Sequence, residues 1–142
     1  MIVYVDMVAD LFHSGHITFF KKIKKIYPDS NLYVGLMSDE DATHYKRKPI
    51  LNINERKTCV EACRYVEKVF VNAPMPITKN FILENKIEYV IHGDDIKEAS
   101  RNYWYKIPLE MKIYKEIEYT QGTSTTDIIN RITNTEKNKG RL

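Results

Sequence analysis

At 142 residues the chain has room for one domain with a real core, and its ordinary composition, 43% hydrophobic and 29% charged, suits a globular protein. A net charge of +3 is too small to imply a nucleic-acid partner. No apolar run approaches the length of a membrane span, and Asp6 and Asp10 interrupt any basic-then-apolar leader, so a cytoplasmic protein without a membrane partner is expected.

The elements alternate along the chain. Residues 2–5, all apolar, read as a buried strand, and 17–27 as an amphipathic helix with Ile17, Phe19, Phe20, Ile23 and Ile26 on its apolar face. Residues 32–37 make a second strand, followed by a polar segment over 38–52. Helical spacing returns over 54–64, with Asn54 as a plausible N-cap. Cys59 and Cys63 lie four apart there and read as buried thiols in a reducing compartment rather than a disulfide or metal site. A third strand is expected over 66–71, a short helix over 78–85, a fourth strand over 88–92 and a fifth over 112–118. A closing helix over 125–132, capped by Ser124 or Thr125, leaves 133–142 as a polar, frayed tail. Strands separated by helices predict parallel β-α-β units with right-handed crossovers. The expected fold class is α/β, a Rossmann-like three-layer fold with a five-stranded parallel sheet.

His13-Ser14-Gly15-His16 stands at the first strand-to-helix junction, where open α/β sheets bind their ligands. The helix start offers unpaired N–H groups to phosphate, Gly15 allows close approach, and two imidazoles can donate to phosphate oxygens. A plain helix cap or a pair of metal ligands would carry the same residues, although no Cys or Glu cluster nearby completes a zinc set. Three further clusters suit phosphate. The basic run Thr43-His44-Tyr45-Lys46-Arg47-Lys48 can fold over a triphosphate as a flexible loop. Arg56 and Arg64, two turns apart, offer guanidinium forks. Gly122-Thr123-Ser124-Thr125-Thr126-Asp127 forms a second anion nest. Solubility, surface ion pairing and ordinary capping are the competing readings of these three. Asp94 and Asp95 follow the fourth strand and can take a cationic group or cap the next turn.

Together these segments resemble the cytidylyltransferases that activate phospholipid head groups. The resemblance rests on His13-Ser14-Gly15-His16, on Asn52 to Arg56 continuing to Cys63-Arg64-Tyr65-Val66, on His92-Gly93-Asp94-Asp95-Ile96, and on Thr120-Gln121-Gly122-Thr123-Ser124-Thr125-Thr126-Asp127. The four occur in family order and spacing, and they cover a catalytic domain over 1–132. The resemblance implies transfer of CMP from CTP to a small phosphorylated alcohol, with release of pyrophosphate. It assigns catalysis to His13, His16 and Lys46. Nucleotide binding falls to Asp10, Gly15, Arg64, Gly122, Ser124, Thr125 and Thr126, and acceptor binding to Asp94, Asp95 and Arg56. It also implies Mg²⁺ travelling with CTP, and a homodimer formed around Arg64-Tyr65-Val66 with Tyr65 and Phe70 as candidate anchors.

Three positions depart from the family pattern. Its Gly-x-Phe-Asp reads Met7-Val8-Ala9-Asp10 here, its arginine before Thr-Gln-Gly is Tyr119, and its aromatic after Ala73-Pro74 is Met75. Lys112 and Lys115 are the cations nearest in sequence to take the arginine's place. Met75 argues against a cation–π cage for choline, although Tyr103, Trp104 and Tyr105 could build one from another direction, and phosphoethanolamine is slightly preferred over phosphocholine. Glycerol 3-phosphate and a catalytically impaired CTP-binding protein are the alternatives.

Overall fold

A computed structural model of the chain describes residues 1–118 and 123–138. In chain order the elements are β1 (Ile2–Met7), α1 (Ser14–Ile26), β2 (Asn31–Leu36), α2 (Asp39–Tyr45), α3 (Ile53–Glu61), β3 (Lys68–Phe70), α4 (Lys79–Glu84), β4 (Tyr89–Gly93), α5 (Glu98–Trp104), α6 (Lys106–Glu110), β5 (Tyr114–Ile117) and α7 (Thr125–Asn138). The five strands form one parallel sheet in the order β3-β2-β1-β4-β5. This is the expected Rossmann-like arrangement. Strand order reverses between β1 and β4, which leaves a crevice at their carboxyl ends.

Side chains alternate across β1 and feed two cores. Val3 and Val5 pack on one face with Phe20, Ile23 and Val60. Tyr4 packs on the other with Ile77, Ile82, Val90 and Tyr105. The same alternation turns Asp6 toward Tyr105, to whose hydroxyl it is bonded.

Several elements differ from the sequence expectation, each for a local reason. The polar segment over 38–52 contains α2, which Ser38 caps by accepting from the Asp41 N–H at 3.0 Å. Asp39, Glu40 and Asp41 in its first turn suit the positive end of the helix dipole. This helix takes in residues 43–45 of the expected flexible loop. Helix α3 begins two residues early because Asn52, not Asn54, is its cap. Asn52 Oδ1 accepts from the Glu55 N–H and Glu55 Oε1 from the Asn52 N–H, both at 3.0 Å. The helix stops at Glu61, so Cys63 and Arg64 lie beyond it, and Cys59 is exposed rather than buried. Helices α5 and α6 carry too little apolar periodicity to have been read. Helix α7 runs past Ile132 to Asn138, with an exposed Arg131–Asp127 pair at 2.7 Å and a Thr133 hydroxyl donating to the Ile129 carbonyl at 3.0 Å. Among the described residues no helix is long and apolar enough to cross a membrane.

Candidate functional site

The β1–α1 loop opens the site. Ala9 and Leu11 both hold left-handed backbone angles, with φ of 56° and 49°, a cost of about 1–3 kcal/mol each for residues with a Cβ. Asp10 between them offsets that cost. Its carboxylate accepts from the N–H groups of Leu11, Ile50 and Leu51 at 3.1, 2.8 and 2.9 Å. Arg56 braces the same loop. It is fully buried and bonds the carbonyls of Val8 at 2.7 Å and Leu51 at 3.2 Å, and the Asp39 carboxylate at 2.7 Å.

His13 is the N-cap of α1, so the helix begins three residues earlier than its apolar periodicity indicates. The His13 Nδ1 accepts from the Gly15 N–H at 3.0 Å, and the His16 Nδ1 accepts from the His13 N–H at 3.1 Å. Two imidazoles thus form a reciprocal capping box. A backbone N–H only donates, so both Nδ1 atoms are bare and both neutral rings carry their proton on Nε2. The Thr125 hydroxyl donates to the Asp10 carbonyl at 3.0 Å and lies 3.3 Å from the His13 Nε2, placed to accept its proton. The rings sit 3.9 Å apart, with His16 stacked on Phe12. Burial, reinforced by the His13 and Lys46 charges, pushes the His16 pKa down to about 3, and burial lowers His13 as well. The pair therefore supplies N–H donors without charge at neutral pH. Gly15 is required by close approach: a Cβ there would collide with the Thr123 carbonyl oxygen and the His13 ring.

A cavity of about 240 Å³ opens above this loop, lined by His13, His16, Lys46, Asp95, Ser124 and Thr125 among others. A second lobe of about 170 Å³ adjoins it and is lined by Tyr45, Lys46 and Arg47. Asp6, Met7, His16, Lys46, His92 and Thr125 border both lobes. Asp6 is 3% exposed. Its Oδ1 accepts from the Tyr105 hydroxyl, and its Oδ2 is buried with no partner among the described residues. Burial pushes its pKa up, while Tyr105 and His92 pull it down. His92 Nδ1 lies 2.8 Å from the Gly93 carbonyl, which can only accept, so Nδ1 carries the proton. One cavity therefore joins a buried acid to a set of phosphate donors.

The cytidylyltransferase-like family model matches residues 7–131. The chain belongs to the cytidylyltransferase-like family. Human choline-phosphate cytidylyltransferase A is 41% identical over 131 residues, 92% of this chain and 36% of the relative. The ethanolamine-phosphate cytidylyltransferase of Dictyostelium discoideum is 38% identical over 136 residues, 92% of this chain and 37% of the relative. The chain thus spans little more than a third of the curated relatives it matches. A crystal structure of a lipopolysaccharide core biosynthesis protein from Thermoplasma volcanium GSS1 gives a TM-score of 0.66 over 87% of this chain and 98% of that one. At 24% identity it supports the fold alone.

Within this cytidylyltransferase-like fold, the cavity brings together His13, Gly15, His16, Lys46, Asp95, Ser124 and Thr125. Asp10 borders the second lobe, but its carboxylate is committed to three backbone N–H groups. The Ser124 hydroxyl caps α7 by accepting from the Asp127 N–H at 3.0 Å, and Thr126 meets Arg47. Gly122 and Tyr119 lie outside the described residues. Three expected residues are not brought to the cavity. Arg56 is a buried brace. Arg64 is exposed over the Tyr65 ring, 5.2 Å from its centroid. Asp94 is exposed, its N–H donating to the Ile117 carbonyl. Lys112 lines a groove with Met111 and Lys86, and Lys115 sits over Tyr89, so neither borders the cavity. The sequence assigns no role to Asp6, whose signal was an acid at the end of an apolar strand run; Arg47 entered only as part of the basic run over 43–48, and His92 only as part of a segment that carries the resemblance.

Proposed function

We propose that the chain transfers CMP from CTP to a small phosphorylated amino alcohol, releasing pyrophosphate, with phosphoethanolamine preferred over phosphocholine. The observation that carries this reading is the Asp6 Oδ2, without a partner among the described residues, on a residue that lines the same cavity as His13 and His16. A primary ammonium brings three N–H groups to a buried oxygen that lacks a donor. A quaternary ammonium brings none, and glycerol 3-phosphate brings no positive charge. The relatives' names include both amino alcohols, in keeping with the class.

In the proposed reaction an oxygen of the acceptor phosphate attacks the α-phosphorus of CTP. The α–β phosphoanhydride bond breaks, and its electron pair leaves with pyrophosphate. His13 and His16 donate from Nε2 to oxygens whose charge grows in the transition state, and Lys46 adds a full positive charge. Positioning and electrostatics supply the catalysis. Among the described residues no group of three His, Cys, Asp or Glu could hold a metal. The site nonetheless suits Mg²⁺ held chiefly by substrate phosphates, with Asp95 the cavity carboxylate available to it. When bound, Mg²⁺ neutralises phosphate charge. The exposed Arg64, stacked on the half-buried Tyr65, supports a homodimer as part of the proposal, which sedimentation would test. Phe70 is a weaker anchor, since it packs against Tyr4, Tyr33 and Phe81.

Pyrophosphate release from CTP and Mg²⁺, measured with phosphoethanolamine, phosphocholine and glycerol 3-phosphate in turn, tests the reading. Turnover fastest with phosphoethanolamine is expected. No release with any of the three, despite measurable CTP binding, would overturn it.

A further inference from the structure

Arg47 is a cation of the second lobe that the proposed reaction does not use. The end of α2 holds its backbone: the N–H groups of Lys46 and Arg47 both donate to the Ala42 carbonyl, at 3.0 and 3.2 Å. Its side chain crosses to the start of α7, where Nη1 donates to the Thr126 hydroxyl at 3.1 Å. Its Nε is buried and has no partner among the described residues. The ion pairs among the described residues use Arg56, Lys57, Arg101 and Arg131, and none uses Arg47.

The contrast with Arg56 shows what this means. Arg56 is a structural arginine, and every nitrogen of its guanidinium has a protein acceptor. Among the described residues Arg47 has one neutral hydroxyl for a guanidinium with five N–H donors. Leaving a buried donor unpaired costs about 1–3 kcal/mol, a cost that an arriving anion removes. The planar fork matches phosphate oxygens, and Lys46 beside it adds to the attraction. The Thr126 hydroxyl fixes the fork in advance, so little side-chain freedom is left to lose on binding.

We infer that Arg47 is a phosphate-binding residue of this cavity, pre-oriented by Thr126. The phosphate has two sources, the polyphosphate of the nucleotide and the phosphate of the acceptor. The inference rests on the reaction proposed above for the identity of those ligands. Its test separates the two ideas.

Titration calorimetry of the wild-type chain, Arg47→Met and Arg47→Lys with CTP, cytidine and inorganic triphosphate is the experiment, joined to KM for phosphoethanolamine. A CTP affinity at least tenfold weaker in Arg47→Met, with cytidine unchanged and partial recovery in Arg47→Lys, would support the inference and assign the nucleotide polyphosphate. Unchanged CTP binding with a KM for phosphoethanolamine raised at least tenfold would support it and assign the acceptor. Equal weakening of CTP and cytidine, or no change in either constant, would overturn it. Inorganic triphosphate requires no nucleoside recognition. If the wild-type chain binds triphosphate but not CTP, the proposed reaction fails, and the inference stands only where Arg47→Met loses the triphosphate.

Discussion

The two walls of the cavity are built in opposite ways. The α1 wall is assembled from bonds two or three residues long: Gly15 to His13, and His13 to His16. The opposite wall, where α2 passes into α3, is held by bonds across long stretches of chain. Arg56 reaches back to Val8, Ile50 and Leu51 reach Asp10, and Arg47 reaches Thr126. Local bonds orient the donors, so the histidine tautomers survive modest shifts elsewhere. Non-local bonds hold the segment that carries Lys46 and Arg47 at the cavity, so this wall depends on a few side chains. Asp10 and Thr125 join the two systems, because the Thr125 hydroxyl touches both the Asp10 carbonyl and His13.

Breaking the non-local wall has the largest expected effect. Arg56→Met removes a buried cation from three acceptors and is expected to cost about 3–5 kcal/mol of folding stability, measured by urea unfolding. Arg56→Lys should not restore it, because one ammonium cannot reproduce the fork. Breaking the local wall should instead spare the fold and slow the reaction. His16→Ala is expected to lower kcat about a hundredfold, equivalent to about 3 kcal/mol of transition-state stabilisation, with a small change in CTP affinity. A loss of stability as large as that of Arg56→Met would erase the distinction between the walls.

Thr125 sharpens the comparison at the join. Thr125→Val keeps the shape but removes the acceptor of the His13 Nε2–H, whereas Thr125→Ser keeps the hydroxyl. The valine variant should lose about tenfold in kcat and broaden the tautomer signature of His13 in nitrogen-15 NMR, and the serine variant should retain both. A valine variant with an unchanged tautomer signature would show that the capping box alone sets His13.

A last effect is graded with pH. The folded His16 pKa of about 3 lies below its ordinary 6.5, so the unfolded chain binds more protons between those values. The His16 contribution to stability is therefore complete above pH 6.5 and declines as pH falls toward 3. The slope is about 1.4 kcal/mol per pH unit through the middle of that window. His16→Gln should flatten this slope in acid unfolding curves. A wild-type slope equal to the variant's would mean that His16 is not buried neutral.

The same division explains what was legible in the sequence. The parallel sheet follows from apolar runs alternating with helical patterns, and His13 and His16 were visible because their whole construction lies within four residues. Asn52 as a cap was missed in favour of Asn54, since the two differ only in which asparagine Glu55 can reach back to. Arg56 was read as a ligand for phosphate because nothing local shows that Val8, 48 residues earlier, takes its fork. Asp6 and Tyr105 stand 99 residues apart, and only the pairing of β1 with β4 brings the elements carrying them together.

In the proposed reaction the buried Asp6 oxygen selects a primary ammonium. The most direct measurement is the ratio of kcat/KM for phosphoethanolamine over phosphocholine, in the wild-type chain and in Asp6→Asn. The account predicts a ratio above one that falls by at least tenfold in the variant, because the amide carries no charge. A ratio unchanged by the substitution, or one that favours phosphocholine in the wild-type chain, would contradict it.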